Sequence, residues 1–133
     1  MQPHEEWLYK ARNDLKAANI LLSGEEIIGD TAVYHTQQCA EKSLKAFLAF
    51  HERPIPLTHD LEKLLETCSE INEAFGSLLD DAITLTPYAT LFRYPDVVME
   101  PEKEDVSDAI QRAEKIFLFV IQQLPESLSF NQA

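Results

Sequence analysis

The sequence predicts an all-α bundle, and three observations carry that prediction. Five segments repeat apolar residues at helical spacing, none sustains the alternation of a strand, and only three glycines occur in the 133 residues. A chain of this length is expected to form one domain, residues 1–133, with 45% apolar composition to fill the core and no need of a disulfide or metal staple.

The first helix is expected from about Glu5 to Leu22, because Leu8, Ala11, Leu15, Ala18 and Leu22 draw one apolar stripe before Ser23-Gly24. The second should begin at Asp30 or Thr31, both good N-caps, and end near Glu52 ahead of Arg53-Pro54-Ile55-Pro56. Its core face reads Val33, Gln37, Ala40, Leu44 and Phe47. At 100° per residue, Tyr34, Gln38, Glu41, Lys45 and Glu52 gather on another side within an arc of about 60°.

A third helix should open at Thr58 or His59 and bury Leu61, Leu64, Leu65 and Cys68, with a turn inside Ser69 to Gly76. The apolar pattern resumes at Leu78, Leu79, Ala82, Ile83 and Leu85, and Thr86-Pro87 restarts or kinks this fourth helix. Pro95 forces Tyr94 out of helical geometry, so the stretch from Phe92 to Lys103 reads as an ordered loop. The last helix is expected from about Glu102 to Leu124, facing inward through Val106, Ala109, Ile110, Ala113, Ile116, Phe117, Val120 and Ile121.

Charge narrows the function classes. Twenty-three Asp and Glu against eleven Lys and Arg give a formal net charge of −12, which leaves no broad basic face for nonspecific nucleic-acid binding. A small site is less constrained, since a few arginines can hold one phosphate whatever the net charge. Cys39 and Cys68 stand at apolar helical positions outside any metal-ligand spacing and are expected to be buried free thiols, in keeping with a cytoplasmic location. No apolar run is long enough to span a membrane, and the acidic start is unlike a signal peptide.

Three constellations could carry chemistry. Gln38, Glu41, Lys42 and Lys45 form either a solvated face with a favourable i,i+4 pair or the lining of a cleft or interface. His59, within Leu57-Thr58-His59-Asp60-Leu61, either fixes the loop or belongs to a site. Arg93, between aromatics in a proline-stiffened turn, either caps the fourth helix or offers its donors to a phosphate or carboxylate. His4, His35 and His51 have no companion ligands at metal spacing, so neither a metal site nor a cofactor is expected, and phosphate-loop, GxSxG and HExxH motifs are absent.

Asp14-Leu15-Lys16-Ala17-Ala18, Gln37-Gln38-Cys39-Ala40-Glu41-Lys42-Ser43-Leu44-Lys45-Ala46, Thr58-His59-Asp60-Leu61 and Arg93-Tyr94-Pro95-Asp96 together resemble the HEPN domain, the "higher eukaryotes and prokaryotes nucleotide-binding" family. The resemblance implies an up-and-down bundle of four to five helices, commonly dimeric. It also implies a two-component, toxin-antitoxin-like system in which the partner is a small nucleotidyltransferase. Some relatives cleave RNA with an arginine followed by a histidine four to six residues later; here no histidine follows Arg93 through Glu100.

The reading that follows is a noncatalytic HEPN-like homodimer that binds a nucleotide, a nucleotidyltransferase partner, or both. Arg93 would hold a phosphate, Tyr94 would stack or shape the cleft, Gln38, Glu41 and Lys45 would make polar contacts, and His59 would stand at the rim. The alternatives are a metal-independent endoribonuclease toxin, with Arg93 stabilising the phosphorane and His59 as acid or base, and a purely structural protein-interaction bundle.

Overall fold

The computed structural model describes residues 1–95 and 100–125, and everything regular in them is helical. Five α-helices follow one another: α1 (Pro3–Ser23), α2 (Gly29–Phe50), α3 (Leu61–Ile71), α4 (Leu79–Leu85) and α5 (Lys103–Gln122). Two 3₁₀ turns flank α4, at Glu73–Leu78 and Thr86–Ala89. The expected Arg93-Tyr94-Pro95-Asp96 loop is described as far as Pro95; Asp96 and its neighbours to Met99 lie outside the described residues.

The second helix is the structural axis. It packs against α1, α3, α4 and α5, and side chains are buried around most of its circumference, from Ala32 and Val33 through Leu44, Phe47 and Leu48. The short link 24–28 makes α1 and α2 antiparallel neighbours. The stripes expected on α1 and α5 are buried at Leu8, Ala11, Leu15 and Ala18, and at Val106, Ala109, Ile110, Ala113, Ile116, Phe117 and Val120, while Leu22 and Ile121, at their ends, are only part-buried. Burial pushes the Cys39 thiol far up and the Cys68 thiol up to about 12, so both are inert core groups. Among the described residues no helix is long and apolar enough to cross a membrane.

Helix ends depart from the sequence expectation for local reasons. The second helix begins at Gly29, not at Asp30 or Thr31, and the chain there runs close beneath Pro101. A Cβ on residue 29 would come within 3.1 Å of Pro101 Cγ and 3.3 Å of Val106 Cγ2. Asp30 instead turns its carboxylate onto the Thr31 N–H at 2.7 Å. At the other end the helix stops at Phe50, ahead of Glu52, which adopts a left-handed φ of 54°. The Arg53 N–H then reaches back to Leu48 O and the Glu52 N–H to Ala49 O, both at 3.0 Å, which is a Schellman closure with glutamate in the seat usually taken by glycine.

The third helix begins at Leu61 rather than Thr58 or His59. Asp60 is the cap, accepting from the Glu62 N–H at 3.0 Å, while Thr58 Oγ1 accepts from the Asp60 N–H and shapes the approach. The turn expected across Ser69 to Gly76 is largely helical: α3 continues to Ile71, and Asn72 caps the 3₁₀ turn by accepting from Ala74 N–H. Phe75 in that turn is fully buried, with its ring 4.4 Å from Phe47 and 4.9 Å from Phe119 between centroids. Leu79 and Ile83, expected inward, are 46% and 47% exposed, and Asp81 is buried in their stead. Arg112 Nη1 donates to Asp81 Oδ1 at 3.1 Å, and Lys115 Nζ lies 3.0 Å from Oδ2 in ion-pair contact without hydrogen-bond alignment.

This packing yields a stability contrast. Phe75→Ala should cost roughly 3–5 kcal/mol, because it empties the junction of three rings. Ile83→Ala should stay within about 0.5 kcal/mol, as a substitution on an exposed face. Urea unfolding of the two variants checks both; a loss in Phe75→Ala as small as that expected for Ile83→Ala would place the turn outside the core.

Candidate functional site

The face of α2 singled out by its polar residues is not a solvated surface. Glu41 and Lys45 have side chains only 5% and 10% exposed, with Nζ to Oε2 at 2.9 Å. Lys45 Nζ also lies 5.6 Å from the centroid of the Trp7 ring on α1, a cation–π contact. The other oxygen of Glu41 meets His59 Nδ1 at 2.7 Å and the Gln37 amide at 3.2 Å. Gln37 Nε2 additionally donates to His59 O at 2.9 Å, and Gln38 Nε2 donates to Gln37 Oε1 at 2.8 Å.

Gln38, Glu41, Lys45 and His59 therefore form one network, and Gln37, expected as a core-face residue, is its link. Burial pushes the Glu41 carboxyl up, but the hydrogen bonds from His59, Lys45 and Gln37 outweigh it and hold the group below its ordinary 4.5. Because Glu41 and Lys45 are consumed inside the fold, they offer no free surface for self-association. The His59 side chain remains 70% exposed beyond its Nδ1 contact.

Arg93 stands elsewhere. Its guanidinium carbon lies 3.9 Å from the centroid of the Tyr34 ring, two helical turns, or about 10 Å, along α2 from Glu41. Arg93 is thus anchored at one level of α2 and His59 at another, and among the described residues no contact joins them. The geometry gives no support to a pair acting on one phosphorus. The cap role is also not what the structure shows: the carbonyls closing the preceding turn accept from backbone, Pro87 O from Thr90 and Leu91, and Thr90 O from Arg93 N.

The backbone that aims Arg93 is unusual. Phe92 has φ 70°, a left-handed conformation that costs a bulky residue on the order of 1–3 kcal/mol, and its ring stacks on Tyr88 at 6.2 Å. The sharp turn sends Arg93 back onto α2 and opens a cleft of about 280 Å³ lined by Asp30, Thr31, Tyr34, His35, Phe92 and Arg93. Tyr94 is not in that lining; it is 60% exposed.

Behind the cleft, buried Asp14 of α1 takes two partners from α2, His35 Nδ1 and Lys42 Nζ, each at 2.7 Å. In sequence His35 is a lone histidine, and the only pointer to it is Asp14 in the first motif. Tyr34 falls on the polar face, yet nothing local announces Arg93 as its partner 59 positions later. Among the described residues no group of three or more His, Cys, Asp or Glu side chains could hold a metal ion.

Loss of the Glu41 network should be visible against pH. A carboxyl held below 4.5 in the folded state contributes stability that is complete above that value and is lost as pH falls through the lower folded one. Glu41→Gln should therefore melt lower than the parent at pH 7, with the gap closing as the medium is acidified below about 4. Thermal melts across that range test this, and a gap independent of pH would refute it.

Known proteins bear on the identity of this arrangement. The HEPN domain pattern matches residues 4–124. Among solved structures, TT1696 from Thermus thermophilus superposes with a TM-score of 0.80 at 27% identity, covering 93% of this chain and 100% of that one. ST0689, described as an archaeal HEPN homologue, gives 0.73 at 29% identity over 92% and 98%. No curated protein sequence matches the chain. With the pattern running through all five helices and two such structures sharing the fold end to end, the chain belongs to the HEPN domain family.

Proposed function

We propose that this HEPN protein is a noncatalytic nucleotide-binding component that holds the phosphate of its ligand at Arg93. The observation that carries the reading is the guanidinium 3.9 Å over Tyr34 at the mouth of a cleft. Stacking uses the face of the guanidinium and leaves its in-plane N–H donors for a phosphate. Among the described residues no carboxylate forms an ion pair with it. A volume of about 280 Å³ is close to the lower end of ligand sites, roughly 300–1,000 Å³, and suits a phosphate with its sugar rather than a whole nucleotide. The base would then lie outside, where the exposed Tyr94 offers a ring to stack on.

The homodimer and the nucleotidyltransferase partner belong to the same proposal. They rest on what the resemblance of the sequence motifs implies, and sedimentation and co-purification test them directly.

Arg93 itself decides the matter. Nucleoside monophosphates titrated calorimetrically should bind the parent, lose at least tenfold in Arg93→Ala, and not be restored by Arg93→Lys, which keeps charge without the planar fork. The melting point should move little, since an exposed cation–π contact contributes only about 0.5–1 kcal/mol. Unchanged affinity in Arg93→Ala would sink the proposal. Single-stranded RNA incubated with the protein should remain intact; cleavage that disappears in both Arg93→Ala and His59→Ala would favour the endoribonuclease reading instead.

A further inference from the structure

The same cleft contains a second polar group that no family motif contributes. His35 lines it beside Tyr34, the two rings edge to face at 5.6 Å, and its Nδ1 is engaged 2.7 Å from Asp14 Oδ1. Asp14 is 8% exposed, and its other oxygen is fixed by Lys42 Nζ, so this carboxylate cannot swing away from the ring without breaking a second charged contact. An ionised carboxylate only accepts hydrogen bonds, so Nδ1 must carry a proton. In the neutral ring Nε2 is then a bare acceptor, the single polar edge that His35 has left, and the ring has 28% of its side chain exposed.

The rest of the cleft narrows what that acceptor can meet. Thr31 is occupied, its N–H and hydroxyl both directed at Asp30 Oδ1 at 2.7 and 3.2 Å. Arg93 brings donors only. Around a volume of about 280 Å³, Arg93 thus offers a cationic donor fork and His35 an acceptor nitrogen, beside the Asp30 carboxylate and the Tyr34 hydroxyl. A ligand that uses both Arg93 and His35 must present an anion and a hydrogen-bond donor close together on one small framework. A ribose 3′-phosphate does so, with the 2′-hydroxyl on the carbon next to the one bearing the phosphate.

We propose that His35, fixed by Asp14, reads a ribose hydroxyl adjacent to the phosphate on Arg93, and so makes this cleft selective for ribonucleotides over deoxyribonucleotides. The inference rests on the reading of Arg93 as phosphate anchor. His35 is the specificity-determining residue in contact with the ligand; Asp14 is a positioning residue that sets which ring nitrogen is bare.

The test compares the four nucleoside 3′-monophosphates with their 2′-deoxy counterparts on the full chain. The parent should prefer the ribo form by roughly three- to tenfold, the yield of one hydrogen bond to a neutral hydroxyl. His35→Phe, which keeps a ring against Tyr34 but has no acceptor, should bind both forms at the weaker affinity. Long-range proton–nitrogen correlation spectra of the parent should show His35 Nε2 unprotonated in the neutral ring, with its resonance moved by the ribo ligand and not by the deoxy one. Equal ribo and deoxy affinities in the parent overturn the proposal and leave the Arg93 reading standing, and need no variant to fold. A preference that survives His35→Phe also overturns it. If no nucleotide binds the parent, the Arg93 reading falls and this inference with it.

Discussion

A carboxylate removed from water must be met by donors, and Glu41 meets that demand with groups drawn from two parts of the chain. Lys45 and Gln37 come from α2 itself, while His59 comes from the segment that leads into α3. Leaving such a charge unpaired inside the fold would cost about 3–5 kcal/mol, so the position of the α2–α3 connection is tied to the rotation of α2 about its own axis. Gln37 strengthens the tie by also donating to His59 O, which fixes backbone as well as side chain. Once α2 is set in this rotation, Val33, Ala40, Leu44 and Phe47 face the other helices, and Tyr34 is left outward for Arg93.

The same solution recurs around the bundle. Asp14 between α1 and α2, and Asp81 between α4 and α5, are each buried and each touched by two cationic or imidazole side chains. In a chain with a formal charge of −12, three acidic groups are thus turned from a repulsive surface into ties between neighbouring helices. Such pairs contribute less to net stability than an apolar contact of equal volume, but they reject a helix that is turned or slid by a residue, because a buried charge would then lose its partner. The two histidines they hold, His35 and His59, both have Nδ1 committed and Nε2 left over.

The long helices were legible because burial on one side leaves a period in the sequence, as in α1 and α5, and because a central helix such as α2 carries a broad apolar run. Their ends were less so. At the start of α2, Gly29 passes under Pro101, a contact across more than seventy positions, and its end depends on a glutamate doing what glycine usually does. Phe75 was invisible as core because a 3₁₀ turn has no apolar period long enough to notice. For the site, Arg93 stood out by its awkward place among aromatics, yet the residues that give it meaning, Tyr34 and His35, are joined to it only by folding. Gln38, Glu41 and Lys45 do stand in one hydrogen-bond network, but a polar helical face looks the same in sequence whether it faces water or a neighbour.

Gln37 uses everything it has. Its amide nitrogen donates to Glu41 and to His59 O, and its amide oxygen accepts from Gln38. Glutamate, one codon base away and of the same shape, would lose both donations and set two carboxylates against each other in the interior. Leucine, also one base away, would strand both the Gln38 amide and the His59 carbonyl, and asparagine would fall a methylene short of the partners. The nearest neighbours in the genetic code are thus among the worst replacements, so drift at this position runs into a wall at its first step, while the exposed Leu79 and Ile83 are free to wander.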